Sequence, residues 1–309
     1  MRTLFFGTPD YAVPSLRALA QISEVMGVVC QPDKPKGRGM VLQPPPVKEC
    51  AVELGIPVVQ PTKLRNGEFA AWVRAQQVEL AVVIAYGRIL PKEVLDAPRL
   101  GCVNLHASLL PKYRGAAPIT WAVVDGETET GVCLMRMDEG LDTGDVLEVA
   151  RTGIAPNETS GALYMRLSEM SAELVRVEVP RYAAGALQGT PQDNRLATHA
   201  RMLKKEDGRI SWTAGASRVH NHVRGMSPWP GAWTTLHGQT IKVHAARIVS
   251  LASQPGVPGT VVLADKSGVL VLTGAGLVSL DTVQCEGKKP LRAADWVNGR
   301  GVNMGDVFA

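Results

Sequence analysis

The stretch GCVNLHASLLPKYRGAAPITWAV, residues 101–123, enters as an apolar strand and leaves as a loop in which Asn104, His106 and Ser108 fall at every second position. Alternate residues of a strand share a face. Asn104 and His106 therefore project together from the end of an apolar run, which is where an open α/β sheet keeps its ligands. Working outward, the first half of the chain repeats this texture. The apolar runs TLFF, EVMGVVC, IPVV and ELAVVIA alternate with the helical patterns YAVPSLRALAQI, VKECAVELG and EFAAWVRAQ. Continuous Val/Ile/Leu runs separated by amphipathic segments are the pattern of a mostly parallel sheet covered on both faces, so the fold class is α/β.

Further on, TGVCLMRMDEGLDTGDVLEVARTGI alternates as an antiparallel hairpin does, and a long helical pattern runs from about Ser160 to Ala184. GALQGTPQDNRLATHARMLKKED then loses apolar periodicity, as a linker does. The reading is a first domain over 1–187, a linker over 188–203 and a second domain over 204–309. That second domain opens with a short helix near Ala216–Gly225. It continues with TIKVHAARIV, GTVVLAD, GVLVLTG and GLVSLDTVQ, closely spaced runs that predict a small β-barrel.

A chain of 309 residues, 45% hydrophobic and 20% charged, has the size and composition of a two-domain globular protein. It starts without a signal-like segment and no apolar run approaches membrane-spanning length, so a cytosolic protein is expected. Five scattered cysteines never fall at the spacing of a metal site or a redox pair, and read as reduced, mostly buried hydrophobes. From residue 201 onward 13 Lys or Arg face 7 Asp or Glu, against 20 and 22 before it. The split suits a second half with a polyanionic partner, and equally a solvated surface whose balance drifts by chance.

No Walker loop, no GxGxxG after the first strand and no HExxH occurs. GTPD at 7–10 reads as a helix start, with Thr8 as N-cap and Pro9 at the first helical position. HNH at 220–222 lies inside a predicted helix, where its two histidines fall on different faces, which argues against a metal or nuclease role. An amide beside an imidazole, as in Asn104 and His106, suits acyl chemistry, because Asn donates to an oxygen gaining charge and His donates or carries a proton. Either residue alone would read as a loop cap or a satisfied core group. Asp138, Glu139, Asp142 and Asp145 in MDEGLDTGD are ordinary turn residues by themselves, in a poor match to a calcium loop. Beside Asn104 and His106, one of these carboxylates is positioned to orient the imidazole and take up a proton. QPDKPKGRGMVLQPPPVK at 31–48 is too long and basic for an economical connection, and reads about evenly as a binding loop or a solvated one.

Jointly, NLHASLLPKYRGAAPI and GLDTGD closely resemble the formyltransferases that use 10-formyltetrahydrofolate. QPDKPKGRG with PPPVK, AYGRILP, SPWPGAW and the basic second half narrow the resemblance to the branch whose acceptor is the methionine carried by initiator tRNA. The resemblance implies a Rossmann-like catalytic domain followed by an OB-like barrel, a monomer, and no metal. It implies the catalytic trio Asn104, His106 and Asp142. It implies folate contacts from Ser108, Leu109, Leu110 and Pro111, and a pteridine slot bordered by Tyr86, Gly87, Ile89, Leu90, Asp138 and Gly140. For the tRNA it implies Arg38, with Lys34 and Lys36, on the long loop, and we expect Lys204, Lys205, Arg209, Lys288 and Lys289 to contribute from the second domain. In this reading Asn104 and His106 stabilise the oxyanion, while Asp142 orients His106 and helps remove the ammonium proton.

Three rivals share parts of this pattern. A formyltetrahydrofolate hydrolase is disfavoured because no regulatory region is expected ahead of the first strand and the basic half would have no purpose. A nucleotide-amino-sugar formyltransferase would not need the proline-rich basic loop with Arg38. An RNA-binding module without catalysis would leave the trio unexplained.

Overall fold

The computed structural model describes residues 1–36, 40–65 and 67–309. They form two compact units: Met1–Pro118 with Glu129–Thr152 and Tyr164–Ala200, and Ile119–Thr128 with Gly153–Leu163 and Arg201–Ala309. Residues 119–128 and 153–163, which fall inside the first domain as read from the sequence, thus pack with the second unit.

The first unit carries strands β1 (Arg2–Gly7), β2 (Glu24–Val29), β3 (Lys34–Lys36), β4 (Val41–Gln43), β5 (Val58–Val59), β6 (Leu80–Ile84), β7 (Cys102–His106), β8 (Arg114–Gly115), β9 (Glu129–Arg136), β10 (Val146–Gly153) and β11 (His199–Ala200). Its main sheet has the order β10-β9-β7-β6-β1-β2-β5. Pairings from β5 through β7 are parallel, and β9 runs antiparallel to β7. The central strands are the continuous apolar runs: Leu4, Phe5, Phe6 and every residue of Leu80–Ile84 are buried. Chain connections leave β1 toward β2 and β5 on one side, then return to β6 and β7 on the other. Gly7 is in register with Ile84, and Val83 with Asn104, so the carboxyl ends of β1, β6 and β7 line up at this divergence.

The first turn differs from the sequence reading. Thr8 does not cap a helix; its hydroxyl donates to the Tyr86 carbonyl at 3.0 Å. A 3-10 turn at Asp10–Ala12 intervenes, and helix α1 begins only at Val13 and ends at Ile22. Buried Tyr11 holds the turn in place, its carbonyl accepting from Ser168 at 2.7 Å and its hydroxyl paired with Ser171 at 2.9 Å.

The second unit is built on β12 (Ala232–Leu236), β13 (Gln239–Ser250), β14 (Val261–Asp265), β15 (Gly268–Leu272), β16 (Leu277–Cys285) and β17 (Leu291–Arg292). The antiparallel ladder runs β12-β13-β16-β15-β14, with β17 on β16. The C-terminal segment bonds to both edges. Ala309 exchanges two backbone hydrogen bonds with Thr235 of β12, while Gly305 and Asp306 pair with Val261 of β14. The tail thereby closes the sheet toward a barrel and covers edges that would otherwise be free. Phe308, carried by that tail, stacks on Trp212 at 5.4 Å and on Trp296 at 6.3 Å in the buried core. Both histidines of the HNH stretch, on the helix Ala216–Gly225, are used by backbone carbonyls: His220 faces Ala246 and Pro156, and His222 faces Gly208. No helix among the described residues is long and apolar enough to cross a membrane.

Candidate active site

β7 is buried between β6 and β9, and its pleat places Asn104 and His106 on one face. His106 is only 6% exposed. One of its nitrogens, Nε2, lies 2.9 Å from the Tyr113 carbonyl. A carbonyl only accepts, so Nε2 carries a proton and the neutral ring keeps its lone pair on Nδ1. Nδ1 faces Asp142 Oδ2 at 3.6 Å, with the Asp142 side chain 15% exposed. That distance is beyond a hydrogen bond.

Asp142 is fixed from several sides. Its Oδ2 accepts from the Gly115 backbone N–H at 2.8 Å. Its backbone sits in the left-handed region at φ 54°, uncommon for a residue with a Cβ. Tyr113, at φ 61°, and Ala85, at φ 48° just beyond β6, share that conformation. Three non-glycine residues held there, around strand ends that converge, are characteristic of a site that its surroundings over-determine. Asp138 has a different task. Its Oδ1 accepts from Gly140 N at 3.0 Å and from the Thr143 hydroxyl at 2.6 Å, which folds the 138–143 turn on itself. Among the described residues, no hydrogen bond occupies the Asn104 side chain, and no group of His, Cys, Asp or Glu is arranged to hold a metal ion.

An amide, a buried imidazole with one committed nitrogen, and a partly buried carboxylate are groups that can together stabilise an oxygen and accept a proton. The family model described as Formyl transferase matches residues 1–178, and that of the Formyl transferase C-terminal domain matches residues 202–301. The chain belongs to the formyl transferase family. It is 58% identical over 309 residues to the methionyl-tRNA formyltransferase of Sorangium cellulosum (strain So ce56), covering 100% of this chain and 99% of that protein. To the methionyl-tRNA formyltransferase of Myxococcus xanthus (strain DK1622) it is 48% identical over 298 residues, 96% of this chain and 95% of that one. Among solved structures, WlaRD, a sugar 3N-formyl transferase, superposes with a TM-score of 0.69 at 16% identity over 94% of this chain and 99% of that one. HypX from Aquifex aeolicus in complex with tetrahydrofolic acid gives 0.61 at 19% identity, covering 96% of this chain and 46% of HypX. These two likenesses concern the fold.

Within this formyl transferase fold the residues expected at the site separate into groups. Tyr86 and Leu90 are buried, and Tyr86 packs edge-on to Phe6 at 5.3 Å. Burial raises the pKa of the Tyr86 phenol. Their side chains belong to the core, while Gly87, at φ 76°, and Ile89, 61% exposed, face outward. Ser108 is buried, donates to the Lys112 carbonyl at 2.7 Å and so shapes the turn through Leu109, Leu110 and Pro111, which are partly exposed. Gly140 is exposed beside Leu141, which is 50% exposed. Lys34 is exposed and donates to the Gln31 side chain at 2.9 Å; Lys36 ends β3, and Arg38 lies outside the described residues. Lys204, Lys205, Arg209, Lys288 and Lys289 are all exposed, with Arg209 over the Trp233 ring at 5.9 Å.

Sequence reasoning missed the residues that hold the trio. Arg114 and Gly115 stand inside the stretch that opened the reading, yet no pattern marks a buried arginine or a backbone N–H. Gln192 and Thr198 lie in the segment read as linker. Thr198 Oγ1 accepts from Tyr113 N at 2.8 Å, and β11 pairs with β8.

Proposed function

We propose that the protein transfers the formyl group of 10-formyltetrahydrofolate to the α-amine of methionine esterified to initiator tRNA, acting as a cytosolic monomer. Likeness to methionyl-tRNA formyltransferases over the full chain, at 58% identity in the Sorangium protein, carries this reading. The residues present suit the donor: exposed apolar Ile89 and Leu141 and the partly exposed 109–111 turn offer flat contacts for a pteridine and its aryl group, close in sequence to the polar trio. When bound, 10-formyltetrahydrofolate supplies a formyl carbon attached to an aryl amine nitrogen, which is activated toward attack by an alkyl amine.

The chain's own groups act around that carbon. Asn104, whose side chain has no hydrogen-bond partner among the described residues, donates its amide N–H to the formyl oxygen as negative charge builds there. His106 presents Nδ1, because Nε2 is committed to Tyr113. The proton shed by the attacking amine passes to Nδ1, directly or through water, and the resulting imidazolium sits against the Asp142 carboxylate, which in this way helps to remove it. The tetrahedral centre then collapses: the bond from the formyl carbon to the aryl amine nitrogen breaks, that nitrogen takes up the proton held at Nδ1, and tetrahydrofolate leaves as the formylated amine forms. Gly115 N–H keeps the carboxylate aimed at the ring throughout. Arg38, Lys34 and Lys36 on the long loop would grip the acceptor end, and the exposed cations of the second unit would hold phosphates.

Transfer of a labelled formyl group from 10-formyltetrahydrofolate tests this, with methionyl-initiator tRNA, methionyl-elongator tRNA, free methionine and a nucleotide-linked amino sugar as acceptors. Formylation of the initiator alone is expected. Transfer to the sugar, or release of formate without an acceptor, would overturn the tRNA assignment while keeping the trio.

A further inference from the structure

We propose that Gln192, anchored by the buried Arg114, is a positioning residue that holds the Asp142 turn over His106. Its Oε1 accepts from Arg114 Nε at 3.1 Å and Nη2 at 2.7 Å. Arginine only donates, so this contact fixes the amide orientation and leaves the Gln192 NH2 group facing the other way. There it donates to the Asp142 carbonyl at 2.9 Å and to the Gly144 carbonyl at 2.7 Å. Both protons of one amide are spent on clamping a single turn.

The turn needs such a clamp. Asp142 is in the left-handed region, which a residue with a Cβ leaves unless its surroundings hold it. Arg114 is buried and donates to a second oxygen, Asn194 Oδ1, at 2.9 Å, so the anchor is itself held by two acceptors. The same two-residue step therefore grips Asp142 twice: Gly115 N–H takes the carboxylate, and Arg114, through Gln192, takes the backbone on either side of Thr143. Pairing of β8 with β11 joins this step to the 190–200 segment, and Val146 exchanges backbone hydrogen bonds with Thr190 of the same segment. The stretch that looked like a tether is built into the catalytic unit.

Gln192→Glu separates the two arms. A carboxylate keeps and strengthens the contact with Arg114, but it turns an acceptor toward the two carbonyls. The proposal rests on formyl transfer through Asp142, and two readouts keep the two ideas apart. In Gln192→Glu, kcat is expected to fall about 10–100-fold, with KM for the formyl donor within about twofold and melting unchanged within a few degrees. On an Asp142→Asn background the same change should cost less than about twofold, because its effect runs through the missing carboxylate. Gln192→Met, which keeps the volume and loses both arms, should behave alike in the cycle. Hydrogen exchange at the Gly115 amide reads the turn with no substrate present: faster exchange there, with the β1 and β6 amides unchanged, is expected in both variants. Unchanged Gly115 exchange, a kcat within about twofold of wild type, or a loss that multiplies fully with Asp142→Asn would each overturn the proposal. A wild type that transfers no formyl group would count against the functional reading, and the exchange result would still decide this one.

Discussion

At the residue scale, the site depends on where one carboxylate points. Asn104 and His106 were legible because strand pleat alone puts alternate residues on one face. Which of four nearby acids completes them depends on a left-handed turn and on Gly115, and no spacing encodes that. Asp138 closes its own loop, Glu139 is exposed and Asp145 lies 3.7 Å from Arg136, while Asp142 faces the ring at 3.6 Å. Asp142→Asn should lower turnover at saturating substrates by on the order of 10²–10⁴-fold, the range for losing an acid-base partner, as read by single-turnover formyl transfer. Gly115→Ala is a second probe. At φ 117° a Cβ is strained, and here it would lie 2.8 Å from the Ala200 carbonyl. A stability loss of about 1–3 kcal/mol, measured by chemical denaturation, should accompany a drop in kcat as the N–H leaves Asp142.

At the element scale, apolar periodicity identified the central strands and the helix Ala216–Gly225, since both bury a regular face. It leaves 188–200 unmarked, because the Gln192, Asn194 and Thr198 side chains that join this stretch to the first unit do so by hydrogen bonds that leave no periodic trace. The HNH histidines show the same limit: their partners are carbonyls remote in sequence. Burial lowers the His222 pKa, opposed in part by its contact with the Gly208 carbonyl. An unfolded chain therefore takes up this proton at a higher pH than the folded one. Its stabilising contribution is complete above about 6.5 and declines as pH falls toward the lowered folded value. Denaturation curves between pH 7 and 5 should show that decline, and His222→Gln should flatten it. The cysteines give a second check. Burial raises Cys30 and Cys133 to about 11 and Cys102 to about 12, and Cys50 is raised and buried as well. At pH 7.5 a thiol reagent should modify partly exposed Cys285 first, with the other four reacting only as the protein unfolds, as mass spectrometry of the labelled peptides would report.

At the scale of the whole molecule, the charge split between the halves becomes a question about affinity. Lys288 and Lys289 are exposed beside the last turn of the antiparallel sheet. If they meet phosphates, Lys288→Gln with Lys289→Gln should weaken tRNA binding and reduce the slope of log affinity against log salt by about 2, measured between about 50 and 200 mM salt. Arg38→Ala should instead slow transfer to charged tRNA and leave formyl-donor affinity alone, and equal damage to both would argue against a recognition role. The sequence by itself determined the α/β class, the second all-β unit and the Asn104–His106 pair, because these follow from repeats of two or of three to four residues along one chain. Tertiary structure alone decided that residues 119–128 and 153–163 pack with the second unit, that Tyr86 belongs to the core, and that Gln192 reaches Asp142 from fifty residues away. Such contacts arise between segments whose neighbours in sequence say nothing of them, so they exist only once the chain has closed on itself.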